Sequence, residues 1–139
     1  MTVQDQQHIK QRAYAEAMRY IANAKDDLKK AGKIDGHFRD PKYVRRASGT
    51  AYSGVLIALD AWLKLKGVDL PKGKARKSID FYRDNIAKLD KKLLDHLKIV
   101  YDTLHLSGYY DGTLSLGTIN DGFKMAGYII NRIKPQEAI

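Results

Sequence analysis

Apolar residues recur at helical spacing along almost the whole of this chain, and no stretch alternates polar and apolar residues as a half-buried strand does. Ile9, Ala13, Ala17, Ile21, Ala24 and Leu28 fall three or four apart, which predicts a long amphipathic helix over residues 6–30. It should end at Gly32, after Lys29 and Lys30, whose cations suit the negative end of a helix. Asp40-Pro41 then reads as an N-cap acceptor followed by a proline at the first helical position. The second helix carries the stripe Val44, Ala47, Ala51, Val55, Ala58, Leu59, Trp62 and Leu65, closed by Gly67. Ser78 caps a short third helix with Ile79, Tyr82, Ile86 and Leu89. A break near Asp90 separates it from a fourth with Leu93, Leu97, Val100 and Leu104, although residues 78–108 can also be read as one helix. A loop over residues 109–113 ends that hairpin. Leu116, Ile119, Phe123, Ala126, Ile130 and Ile133 form a last helix stopped before Pro135.

Five helices and no credible strand predict an all-α fold, an up-and-down antiparallel bundle of four long helices with one short extra helix. A chain of 139 residues suits one domain, 1–139, with its core over residues 6–133 and a frayed tail at 134–139.

Composition removes several function classes. The chain has no cysteine, so thiolate nucleophiles, disulfide frameworks and Cys-based zinc sites are out. The N-terminal residues lack a basic segment leading into an apolar block, and no apolar run approaches the ~18 residues of a membrane span. The expectation is a cytoplasmic protein without membrane association. A net charge of +9 and a pI near 9.6 favour anionic partners such as RNA, a nucleotide or an acidic protein surface, although such charge also serves solubility alone.

The chemistry-bearing residues concentrate in Tyr101-x-x-x-His105-x-x-x-Tyr109-Tyr-Asp-Gly112, where the four-residue spacing puts Tyr101, His105 and Tyr109 on one helix face. With Tyr110 they read first as pocket or interface residues, since a phenol buries its ring while its hydroxyl stays wet. Asp102, three residues before His105, is placed to orient the ring as in acid/base sites. The densest charge lies between Lys64 and Lys77, where six cations face Asp69 alone. Lys72, Lys74, Arg76 and Lys77 are candidate phosphate binders there, with Tyr82 as a nearby stacking face. Arg45 and Arg46 open the second helix at its positive end and need an offset, either a carboxylate such as Asp40 or Asp35 or an anionic ligand. His8 and His37 have no companion ligands, so no metal site and no cofactor are expected, and no Gly-rich phosphate loop or nucleophile motif appears.

The order of parts over residues 14–133 resembles the HEPN family of small helical domains, with small bacterial stand-alone members looking most similar. The resemblance rests on Tyr14-Ala-Glu-Ala-Met-Arg-Tyr-Ile-Ala-Asn-Ala24, on the small residues and late Trp62 of residues 51–62, and on the Tyr/His segment with its Gly112 exit. It implies a dimer and, in many members, a metal-independent RNase with an Arg-x4–6-His motif paired across the interface. Here that motif is missing: Lys30, Lys91 and Lys98 stand where an arginine would precede His37, His96 and His105. A lysine is a flexible point charge and does not replace a guanidinium fork. Aligning the family histidine with Tyr109 leaves Leu104 and His105 at the other motif positions. The sequence therefore favours a non-catalytic or degenerate HEPN-like homodimer that binds RNA, a nucleotide or a partner protein. The alternatives are a toxin-like RNase using His105 with Lys98 or Arg46, and a partner-only module of a nucleotidyltransferase pair.

Overall fold

The computed structural model describes residues 1–72 and 78–136, so Lys74, Arg76, Lys77 and the last residues of the expected frayed tail lie outside the described residues. The described part is all-α in class, with five helices in chain order. Helix α1 spans Val3–Ala31 and starts earlier than the apolar period indicates. The reason is a capping box: the Thr2 hydroxyl accepts from the Asp5 amide at 3.0 Å, while the Asp5 carboxylate accepts from the Thr2 amide at 3.1 Å.

The expectation of no strand needs correction. Lys33–Ile34 (β1) pairs antiparallel with His37–Phe38 (β2) around Asp35 and Gly36, both at positive φ. That is the geometry of a tight two-residue hairpin, and Asp-Gly is its strongest local signal. The Phe38 amide donates to the Leu114 carbonyl at 2.9 Å, tying the hairpin to the segment before the last helix. Beneath it Ala31, Phe38, Val44 and Ile119 form a small core cluster.

Helix α2, Pro41–Leu65, begins at Asp40, whose carboxylate accepts from the Lys42 amide at 3.0 Å. It is the central element, packed against α1, against the segment after α4 and against the last helix. Its predicted stripe is buried from Val44 to Trp62, and Ser48, Tyr52, Gly54, Ala61 and Leu63 are buried as well. Helices α1 and α2 run antiparallel, since Asp27 meets Arg46 while Ala17 and Tyr20 meet Gly54. A Cβ on Gly54 would stand 3.1 Å from the Tyr20 Cβ and 3.2 Å from the Ala17 carbonyl oxygen, so this crossing needs the small residue.

Residues 78–108 are two helices, α3 (Ile79–Leu89) and α4 (Lys91–Val100), separated at Asp90. Asp90 has extended backbone, and its carboxylate caps α4 by accepting from the Leu93 amide at 2.9 Å. The same carboxylate takes two hydrogen bonds from Arg132, at 2.6 and 3.4 Å, which hold it below the usual carboxylate range. Helix α4 runs without a break into a π-helical segment, Tyr101–Tyr110, and α5 follows at Leu116–Asn131. Leu93, Leu97, Val100, Leu104, Ile119, Ala126, Ile130 and Ile133 are buried as the period predicts. No helix of the described residues is long and apolar enough to cross a membrane.

Candidate functional site

The Tyr/His segment lies in the π-helical turns, where backbone bonds reach one residue further than in an α-helix. At its entry the Thr103 hydroxyl donates to the Ile99 carbonyl at 2.7 Å, competing with the backbone ladder there. At its exit the Asp111 amide donates to the Leu106 carbonyl at 3.0 Å, a five-residue reach. Helix therefore continues through Tyr109 and Tyr110, which sequence reading put in a loop.

Tight contact with α2 sets where this segment sits. A Cβ on Gly108 would stand 2.5 Å from the Ser48 Cβ, and one on Gly49 would stand 2.7 Å from the Tyr109 ring. These two glycines let the π-helical segment press against α2 and lay Tyr109 across it. Arg45 then fastens the end by donating to the carbonyls of Tyr109, at 3.4 Å, and Tyr110. Its partner is thus the negative end of a helix, not Asp40 or Asp35. Gly112, at φ 62°, turns the chain away, and a Cβ there would stand 2.6 Å from the Arg45 Nε. Arg46 is offset by Asp27 of α1 at 3.7 Å, again not by the expected carboxylates.

The outcome is a groove of about 610 Å³ between α1, α2 and the π-helical segment, lined by Tyr20, Arg46, Tyr52, His105, Tyr109 and Tyr110 among others. His105 stacks on Tyr52, with ring centroids 4.5 Å apart and planes 28° apart. Tyr109 lies almost parallel to His105, 6° between planes at 6.1 Å, while Tyr110 meets His105 edge-on at 5.0 Å. Tyr101 extends the cluster inward, 5.0 Å from His105, under the Arg83 guanidinium at 4.8 Å. Burial pushes the Tyr52 hydroxyl up to about 12, with the neighbouring Tyr101 adding to the shift and Arg83 opposing it. Burial likewise pushes His105 below the ordinary histidine value, which favours its neutral form.

The other predicted residues divide. Arg46, His105, Tyr109 and Tyr110 share the groove, and Tyr101 meets the His105 ring without lining it. Lys98 is exposed on α4 and does not line it. Asp102 is exposed and makes no hydrogen bond or ion pair with the described residues, so it does not orient His105. Tyr82 is no stacking face: it is 2% exposed, and its hydroxyl donates to Asp60 at 2.7 Å. Lys72 is exposed at the edge of the described residues. Sequence reading missed Tyr20, Gly49 and Tyr52. For Gly49 and Tyr52 the signal was a second face on α2, in which the small Ser48, Gly49 and Ser53 accompany Tyr52 and Leu56 beside the apolar stripe.

A neutral imidazole offers one donor and one acceptor, the phenols add further polar tips, and the exposed rings of Tyr109 and Tyr110 offer flat faces. Among the described residues no cluster of His, Asp or Glu could hold a metal ion. The fold and the groove thus define a small all-α protein with an aromatic groove that holds one arginine in its wall. The chain belongs to the DUF5618 family, a domain of unknown function, which matches residues 12–135. Among solved structures it is similar to a protein of unknown function from Dyadobacter fermentans, 42% identical, covering 89% of this chain and 94% of that one, with a TM-score of 0.77. No curated protein matches it.

Proposed function

We propose that this chain is a non-catalytic, HEPN-like helical bundle that binds RNA or a nucleotide through the aromatic groove, as a homodimer. The observation that carries the reading is the ring series Tyr52, His105, Tyr109 and Tyr110 with Arg46 on the same groove wall. Unpaired bases are held by stacking on aromatic faces, which every base can join, while a guanidinium attracts the phosphate between them. The net charge of +9 supplies the long-range attraction such a ligand needs. The HEPN-like reading is supported by the helix order and by the position of the Tyr/His segment before a closing helix. Dimerisation is supported by the large apolar side chains Ile99 and Leu106, which are left exposed on the helical run that carries the site.

The RNase alternative draws on one observation, that Arg46 and the neutral His105 line the same groove. Against it stands the missing acidic partner for the imidazole, since Asp102 makes no hydrogen bond or ion pair with the described residues. Incubating labelled single-stranded RNA with the wild type, His105→Ala and Tyr109→Ala separates the readings. The expected result is salt-sensitive retention without cleavage, weakened roughly tenfold by Tyr109→Ala, in line with one lost stacking contact. Cleavage abolished by His105→Ala selects the RNase. Absence of retention at moderate salt selects the partner-only module of a nucleotidyltransferase pair.

A further inference from the structure

A second cleft, of about 420 Å³, lies between α4 and the end of α5, lined by Lys92, His96, Tyr128, Asn131 and Arg132. It lacks the groove's residues and has a chemistry of its own, because its charged lining, Lys92 and Arg132, is cationic and donor-only, while His96, Asn131 and Tyr128 each add a donor. Lys92 carries three N–H groups and makes no ion pair with the described residues, and Asn131 offers an amide. Arg132 is half-buried and fixed by its two bonds to Asp90, which leave the other donors of its fork free. Asp90 is itself locked as the cap of α4, so the guanidinium is oriented before any ligand arrives.

His96 adds a directional donor. Its Nδ1 is buried and has no hydrogen-bond partner among the described residues. A buried N–H left unpaired is the costlier orphan, which favours the tautomer that carries its hydrogen on Nε2. The Nε2–H is then the edge left for the cleft. Tyr128 lies 5.3 Å from the His96 ring and is 45% exposed, so it brings a flat apolar face to the same opening.

A guanidinium fork, an ammonium, an imidazole N–H and an amide around one cleft call for a ligand rich in acceptors and carrying negative charge. From this geometry we infer that the cleft binds a phosphomonoester, with its phosphate between Lys92, His96 and Arg132 and its organic part against Tyr128. A monoester fits better than a diester because its extra charge and third terminal oxygen match the number of donors. The site is separate from the RNA groove, and either can fail without the other.

Titration of full-length protein with inorganic phosphate and with phenyl phosphate, followed by imidazole NMR signals, tests it. Both ligands should move the His96 resonances and leave those of His105 in place. Phenyl phosphate should bind several-fold more tightly, through the Tyr128 face. Lys92→Ala, on an exposed position that leaves the fold intact, should weaken phenyl phosphate about tenfold, and Tyr128→Ala should make the two ligands equal. Chloride at matched ionic strength moving His96 as far as phosphate does, or Lys92→Ala binding like the wild type, would overturn the assignment.

Discussion

Helix α4 and the π-helical segment are one unbroken run of helix, yet the two halves serve different ends. Over Lys91–Val100 the helix buries Leu93, Leu97 and Val100 completely and leaves lysines outside, as a strut of the core does. Over Tyr101–Tyr110 it buries only Leu104 and Gly108 and spends its aromatic rings on the groove wall. The wider turn and the glycine contact bring the backbone close to α2, while long side chains project past the contact. Core burial is thus concentrated in the first half, and the lining of the groove in the second.

Truncating the strut should break this division most visibly. Leu97→Ala, at a fully buried position, is expected to destabilise the fold by about 2–5 kcal/mol in urea unfolding, with RNA retention per folded molecule unchanged. Gly108→Ala should cost less, about 1–3 kcal/mol, because its new methyl meets Ser48 and α2 must move away. Here retention should fall as well, since Tyr109 shifts with the backbone, and a Gly108→Ala protein that binds RNA like the wild type would show that the close contact does not set the groove.

The smallest effect concerns pH. Burial lowers the folded-state pKa of His105, so the unfolded chain takes up the proton more readily than the folded one. The resulting contribution is fully present above the folded and unfolded values, declines as pH falls below the ordinary 6.5, and levels off under the folded-state pKa. Wild-type melting temperature should therefore drop more than that of His105→Gln between neutral pH and about pH 5. Parallel curves would place the imidazole in water rather than against Tyr52.

Much of this was readable from residue spacing. The stripes of α1, α2 and α5, the cap at Asp40-Pro41, the break at Asp90 and the core positions of α4 all follow from local rules, because amphipathic period and capping act within one or two turns. The Asp35-Gly36 hairpin was legible too, but two-residue strands leave no alternation to notice. The early start at Thr2 needed the Asp5 side chain to be read as a reciprocal cap.

The site was less visible. Tyr101, His105 and Tyr109 announced themselves by spacing, whereas Tyr52 and Tyr20 come from other helices, and nothing within one helix says which neighbour will cover it. Likewise Arg45 and Arg46 found partners at Tyr110 and Asp27, far along the chain, in place of the nearby aspartates. Residue order by itself determined that the chain is helical, where α2, α3 and α4 begin, and which stripe each helix buries, since these depend on backbone propensity and on neighbours three or four positions away. Only the tertiary structure decided that an imidazole is desolvated against a buried phenol and that a guanidinium shares its groove, because desolvation and stacking arise only where separate helices meet.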